Sequence, residues 1–140
     1  MNAKKYLSRI KDKTEKIQEQ EECIQRLRDT LGIAGIRYDK DRVQTSPDPN
    51  KTANIVAKII EEEQILDDMK QSLINYRIKV IDEIKQIDNE NFRKVLNVVY
   101  VDMKTLKECS QIIGFSYDYV RELHPQALKA FEEKFLQSTT

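Results

Sequence analysis

The chain has no tryptophan, only three glycines and three prolines among 140 residues, and only two cysteines. With so few breakers and 34% charged residues, its composition is that of long, solvent-facing helices. The 39% hydrophobic fraction leaves too little for a large globular core. Cys23 and Cys109 have no companion at metal-ligand spacing, so a cysteine metal centre is excluded, and Cys109 reads as a small buried hydrophobe. His124 is the one histidine, which excludes multi-histidine metal sites. Beside Pro125 it reads as an exposed or capping residue. No glycine-rich phosphate loop exists. The acidic residues are dispersed along helix faces, and Glu61, Glu62 and Glu63 read as a solvated acidic face. No enzyme, cofactor or metal is expected. No run approaches the roughly 18 apolar residues of a membrane span, and no leader is visible, so a cytoplasmic protein without a membrane partner is expected.

An excess of one charge is also lacking: 24 Lys and Arg face 24 Asp and Glu. That argues against a general polyanion binder, because nonspecific nucleic-acid affinity comes from excess basic groups neutralising phosphates. Residues 89–140 are balanced by themselves, with seven basic and seven acidic side chains.

What the sequence does contain is helical periodicity. Ile10, Ile17, Ile24 and Leu31 recur every seventh residue, predicting a helix from about Ala3 to Leu31 that Gly32 and Gly35 end. Its apolar stripe is narrow, so it needs a partner helix. Residues 32–51 are polar, with Pro47 and Pro49, and read as a loop. Ile59, Leu66, Leu73, Val80 and Ile87 predict a second helix from about Thr52 to Asp88. Two such heptad helices can fold back on each other as an antiparallel hairpin, or pair between two chains as a homodimer. The expected division is thus a hairpin over 1–88 and a second domain over 89–140.

That second domain holds three helix signals. Phe92, Val95, Leu96, Val98, Val99 and Tyr100 mark one. Thr105 can N-cap the next, with Glu108 as its capping-box partner, and Leu106, Cys109, Ile112 and Ile113 follow at helical spacing. Gly114 falls where a helix ends in the left-handed conformation. Ser116 can cap a third helix carrying Asp118, Val120, Leu123, Ala127, Leu128 and Phe131. Pro125 should kink or restart it. Met103, Phe115 and Phe131 read as core filling. Helices meeting at a tight Gly turn have the outline of a helix-turn-helix, although ordinary helical hairpins share it.

The stretch T-L-K-E-C-S-Q-I-I-G-F-S-Y-D-Y-V-R-E-L-H-P-Q-A-L-K-A-F resembles region 4 of bacterial sigma factors. Adding the M-N-A-K-x-Y-L opening, and Arg42-Val43-Gln44-Thr45-Ser46 ahead of Ala57-Lys58-Ile59-Ile60, the whole chain resembles the RinA/ArpU-like transcriptional regulators of phages. The resemblance implies an all-α regulator that binds double-stranded promoter DNA of phage or prophage late genes in a bacterial host. RNA polymerase would be a further partner. It places Tyr117, Asp118, Arg121 and Glu122 towards the bases, with Ser116 as cap. Arg121 is the side chain able to grip guanine with two hydrogen bonds. Lys104 and Lys107 are the expected phosphate contacts, with Arg93 a third. The alternative reading is a helical adaptor that binds RNA polymerase or a repressor without touching DNA.

Overall fold

A computed structural model describes residues 1–40 and 49–137, and these are all-α. The helices are α1 (Ala3–Lys40), α2 (Pro49–Lys85), α3 (Glu90–Leu96), α4 (Leu106–Ile113) and α5 (Tyr117–Phe131). π-helical turns at Asn97–Val101 and Glu132–Leu136 extend α3 and α5. α1 and α2 run antiparallel: Tyr6 bonds to Glu83, whereas Gln20 bonds to Glu62.

Two expectations about the long helices need correction. α1 does not stop at Leu31 but runs through Gly32 and Gly35 to Lys40. Glycine inside a helix costs only about 1 kcal/mol relative to alanine, and no proline follows until Pro47, so nothing there forces termination. α2 in turn starts at Pro49, where the missing N–H costs no helical hydrogen bond. Of the expected 32–51 loop, 32–40 and 49–51 are therefore helical; the remainder, with the Arg42 to Ser46 motif, lies outside the described residues.

The chain divides into two compact units, Met1–Lys13 with Leu73–Thr140, and Thr14–Ser72. The expected boundary at 88 instead runs through one core. That core gathers Ala3, Tyr6, Leu7 and Ile10 of α1, Val80, Ile84 and Ile87 at the end of α2, and Leu96, Tyr100, Val101, Ala127 and Phe131. A second cluster lies within the same unit, formed by Val95, Val98, Cys109, Val120 and Leu123. The segment from α3 into its π turn feeds both clusters, because residues three and four apart point the same way. Met103 corrects another expectation: it is 41% exposed rather than core, and closes this segment in the left-handed region at φ 58°.

In the other unit the seam is thinner. Ile17, Ile24 and Ile59 are buried, and Leu31 and Leu66 are half-buried. Polar links reinforce it: the Gln20 amide donates to the Glu62 carbonyl at 3.0 Å and carboxylate at 2.6 Å, and Arg28 pairs with Glu63. Lys58 also pairs with Glu62, at 3.1 Å. The acidic triplet is therefore partly engaged between helices rather than simply solvated.

Gly32 sits inside α1 with no neighbouring atom within 4 Å of where a Cβ would stand. Gly32→Ala is expected to raise stability by about 0.5–1 kcal/mol. Urea unfolding followed by circular dichroism measures this; a loss of stability would mean that the glycine has a structural role there.

Candidate nucleic-acid interface

The local chemistry of the turn matches the reading of the sequence closely. Thr105 caps α4 with a full capping box: its hydroxyl accepts from the Glu108 N–H at 3.1 Å, and the Glu108 carboxylate accepts from the Thr105 N–H at 3.0 Å. These bonds, helped by the charge of Lys104, hold the Glu108 carboxyl below its usual range. Gly114 ends α4 at φ 79°, and its N–H donates to the Ser110 carbonyl. Ser116 then caps α5, its hydroxyl accepting from the Tyr119 N–H at 3.2 Å. Two helix ends are thus satisfied within a connection too short to wander.

α5 buries Val120, Leu123, Ala127 and Phe131 and leaves Tyr117, Asp118, Arg121 and Glu122 on its open side. Those four expected base-facing residues are brought together on one exposed face. Arg121 has a 60% exposed side chain, lies 3.9 Å from the Asp118 carboxylate and stands 5.6 Å over the Tyr117 ring. An exposed ion pair contributes at most about 1 kcal/mol and an exposed cation–π contact about 0.5–1. A bidentate bond to guanine discriminates by about 1–3 kcal/mol, enough to draw the guanidinium away. Tyr119 is directed elsewhere, its ring edge-on to Phe115 at 5.2 Å.

The expected phosphate contacts divide. Lys104 and Lys107 are exposed at the start of α4, and neither ammonium forms an ion pair among the described residues. Arg93 is otherwise employed, because its guanidinium donates to the carbonyls of Ile87 and Asp88 just past α2. Pro125 lies inside α5 without ending it.

Two positioning contacts could not be read from sequence, because each joins residues 24 apart. Arg77 donates to the Val101 carbonyl at 2.8 Å, tying α2 to the π turn ahead of α4. His124, expected to be exposed, is half-buried: its Nε2 lies 2.6 Å from the Tyr100 hydroxyl, and the rings are stacked 5.7 Å apart. Burial, then the charge of Lys4, pushes the His124 imidazole below its ordinary range, and burial pushes the Tyr100 hydroxyl up to about 12. Both stay neutral at pH 7. Tyr100, its stacking partner, leaves no local trace in the sequence around His124.

No known protein family, curated protein or solved structure matches the chain.

Gly114→Ala meets no neighbouring atom within 4 Å, so its cost is backbone strain alone, about 1–2 kcal/mol on denaturant unfolding. An unchanged midpoint would mean that the turn relaxes. For His124 the sign follows from its depressed folded pKa. The unfolded chain binds the proton more readily, so this residue's contribution is present above about pH 6.5 and is lost as pH falls through the lower folded value. Stability measured from pH 7 to 5 should therefore fall less steeply in His124→Gln than in the wild type.

Proposed function

We propose that this chain is a DNA-binding transcriptional regulator of the phage RinA/ArpU-like kind, which reads promoter DNA through a sigma region 4-like helix-turn-helix and controls late genes. The observation that carries this reading is the doubly capped α4–Gly114–α5 turn with Arg121 at the centre of the exposed face of α5. A recognition helix must be rigid and must leave a bidentate donor free to reach base edges. α5 is rigid because its opposite face is core, and the hold on Arg121 is weak enough to break. Lys104 and Lys107 supply phosphate contacts beside it, and the host cytoplasm is where such a protein works.

The second reading, an adaptor for RNA polymerase or a repressor, draws on the exposed apolar side chains of this region. Ile112 is 58% exposed, and Met103 and Tyr117 are also open. Apolar surface of that kind suits protein contact more than phosphate contact.

Shift assays on the DNA upstream of the neighbouring genes separate the two. Arg121→Ala should weaken binding to the preferred site roughly ten- to hundredfold, the equivalent of about 1–3 kcal/mol, with unchanged helicity. Equal binding by the variant would remove Arg121 from the reading role. Absence of any wild-type binding at low salt would favour the adaptor.

A further inference from the structure

The exposed face of α5 has a gap in its electrostatics. In its first turns Arg121 stands beside Asp118 and Glu122, Lys129 follows only near its end, and the 89–140 segment is neutral. Duplex DNA is held largely through its phosphates, so the charge needed must come from elsewhere in the unit. The start of α1 has it. Residues 1–16 carry six Lys or Arg against two Asp or Glu, an excess that averaging over the whole first helix conceals.

The core brings that end of α1 to α5. Ala3 is buried in the same cluster as Ala127 and Phe131, and its N–H donates to the Glu132 carboxylate at 3.4 Å. Lys4 lies close enough to His124 for its charge to act on the imidazole. His124 is three residues beyond Arg121, on the same flank of α5. Lys4, Lys5, Ser8, Arg9 and Asp12 line an open depression of about 610 Å³. Arg9 is drawn towards the Tyr76 hydroxyl, but Lys4 and Lys5 are exposed and form no ion pair among the described residues. Asp12 is the one carboxylate of the lining, two turns further on.

From this juxtaposition we infer that the first turns of α1 form a second DNA contact, with Lys4 and Lys5 holding the phosphodiester backbone beside the groove occupied by α5. The inference rests on the DNA-binding reading above and adds the source of its affinity. Base reading then falls to Arg121, and charge neutralisation is shared between Lys104 and Lys107 and a helix outside the helix-turn-helix.

The test uses the full chain and a fluorescently labelled random-sequence duplex of about 30 base pairs, titrated between roughly 50 and 200 mM KCl. Each phosphate contact contributes about 0.9 to the slope of log affinity against log salt. Lys4→Gln with Lys5→Gln should therefore flatten the slope by about 2 and weaken binding several-fold at the lowest salt. The corresponding pair of arginine substitutions should restore both. A charge-matched control, Arg26→Gln with Lys70→Gln, should leave the slope unchanged. If the wild type binds and the glutamine pair keeps its slope and affinity, the α1 contact is wrong while the DNA-binding reading stands. If the wild type binds no duplex even at the lowest salt, both fall together.

Discussion

Tyr6 and Phe131, with ring centroids 5.6 Å apart, join the first helix to the last. Around them the Tyr76 ring lies 5.6 Å from Tyr6 and the Phe135 ring 5.0 Å from Phe131. Tyr6 uses its ring, its hydroxyl and its backbone differently. Its ring fills the core, while its hydroxyl donates to the Glu83 carboxylate at 2.7 Å and its carbonyl accepts from the Tyr76 hydroxyl. Burial, reinforced by Glu83, raises the Tyr6 pKa well above its ordinary value, so the hydroxyl remains a donor throughout the physiological range. The helix-turn-helix depends on this node. Its own cluster of Val95, Val98, Cys109, Val120 and Leu123 is small, and a segment of this size seldom buries enough surface to stand alone. The long helices complete its core, and Arg77 and Lys134 add polar ties to the Val101 and Gln86 carbonyls.

This dependence determines where charge can act. A neutral chain has no general field to hold a polyanion, so any such affinity would have to come from local placement. Near α5 three carboxylates are balanced or occupied: Asp118 faces Arg121, Glu108 closes the capping box, and Glu132 accepts from Ala3. Among the described residues, Lys104 and Lys107 beside α4, Lys129 in α5, and Lys4 and Lys5 in α1 are exposed cations of this unit that form no ion pair. The packing that buries Ala3 beside Phe131 thus has an electrostatic consequence as well as a hydrophobic one.

Features set by neighbours in sequence were legible; features set by distant partners were not. Thr105 with Glu108, Gly114 and Ser116 announce themselves because caps and left-handed turns act within four residues. Heptads at Ile10, Ile17 and Ile24 likewise revealed a seam, since burial repeats with the helix. Glycine misled at 32 and 35, where its small helical penalty was read as a stop. His124 misled because proline beside it suggests a surface, while Tyr100 stacks on it from 24 residues away. Met103 looks like core in sequence and is held open by its own left-handed backbone. That Tyr117, Asp118, Arg121 and Glu122 share an exposed face of α5 followed from helical phase alone, whereas the position of the α1 lysines beside α5 came only from tertiary packing.

Burial is also unequal between the two units. The largest fully buried side chains, Phe131, Leu7, Ile10, Ile84, Leu96, Val80, Val95, Val120 and Cys109, all belong to the unit that carries the helix-turn-helix. Each is worth about 1.5–3 kcal/mol of transfer free energy for the larger apolar types. Among its described residues, Thr14–Ser72 buries only Ile17, Ile24 and Ile59 and relies on exposed or half-exposed polar links, whose net contributions are about 1 kcal/mol or less. Its helical order is therefore inherited from the better-packed ends of α1 and α2, since propagating an existing helix is far easier than nucleating one. Local opening should begin in Thr14–Ser72 and leave α5 and its supports in place.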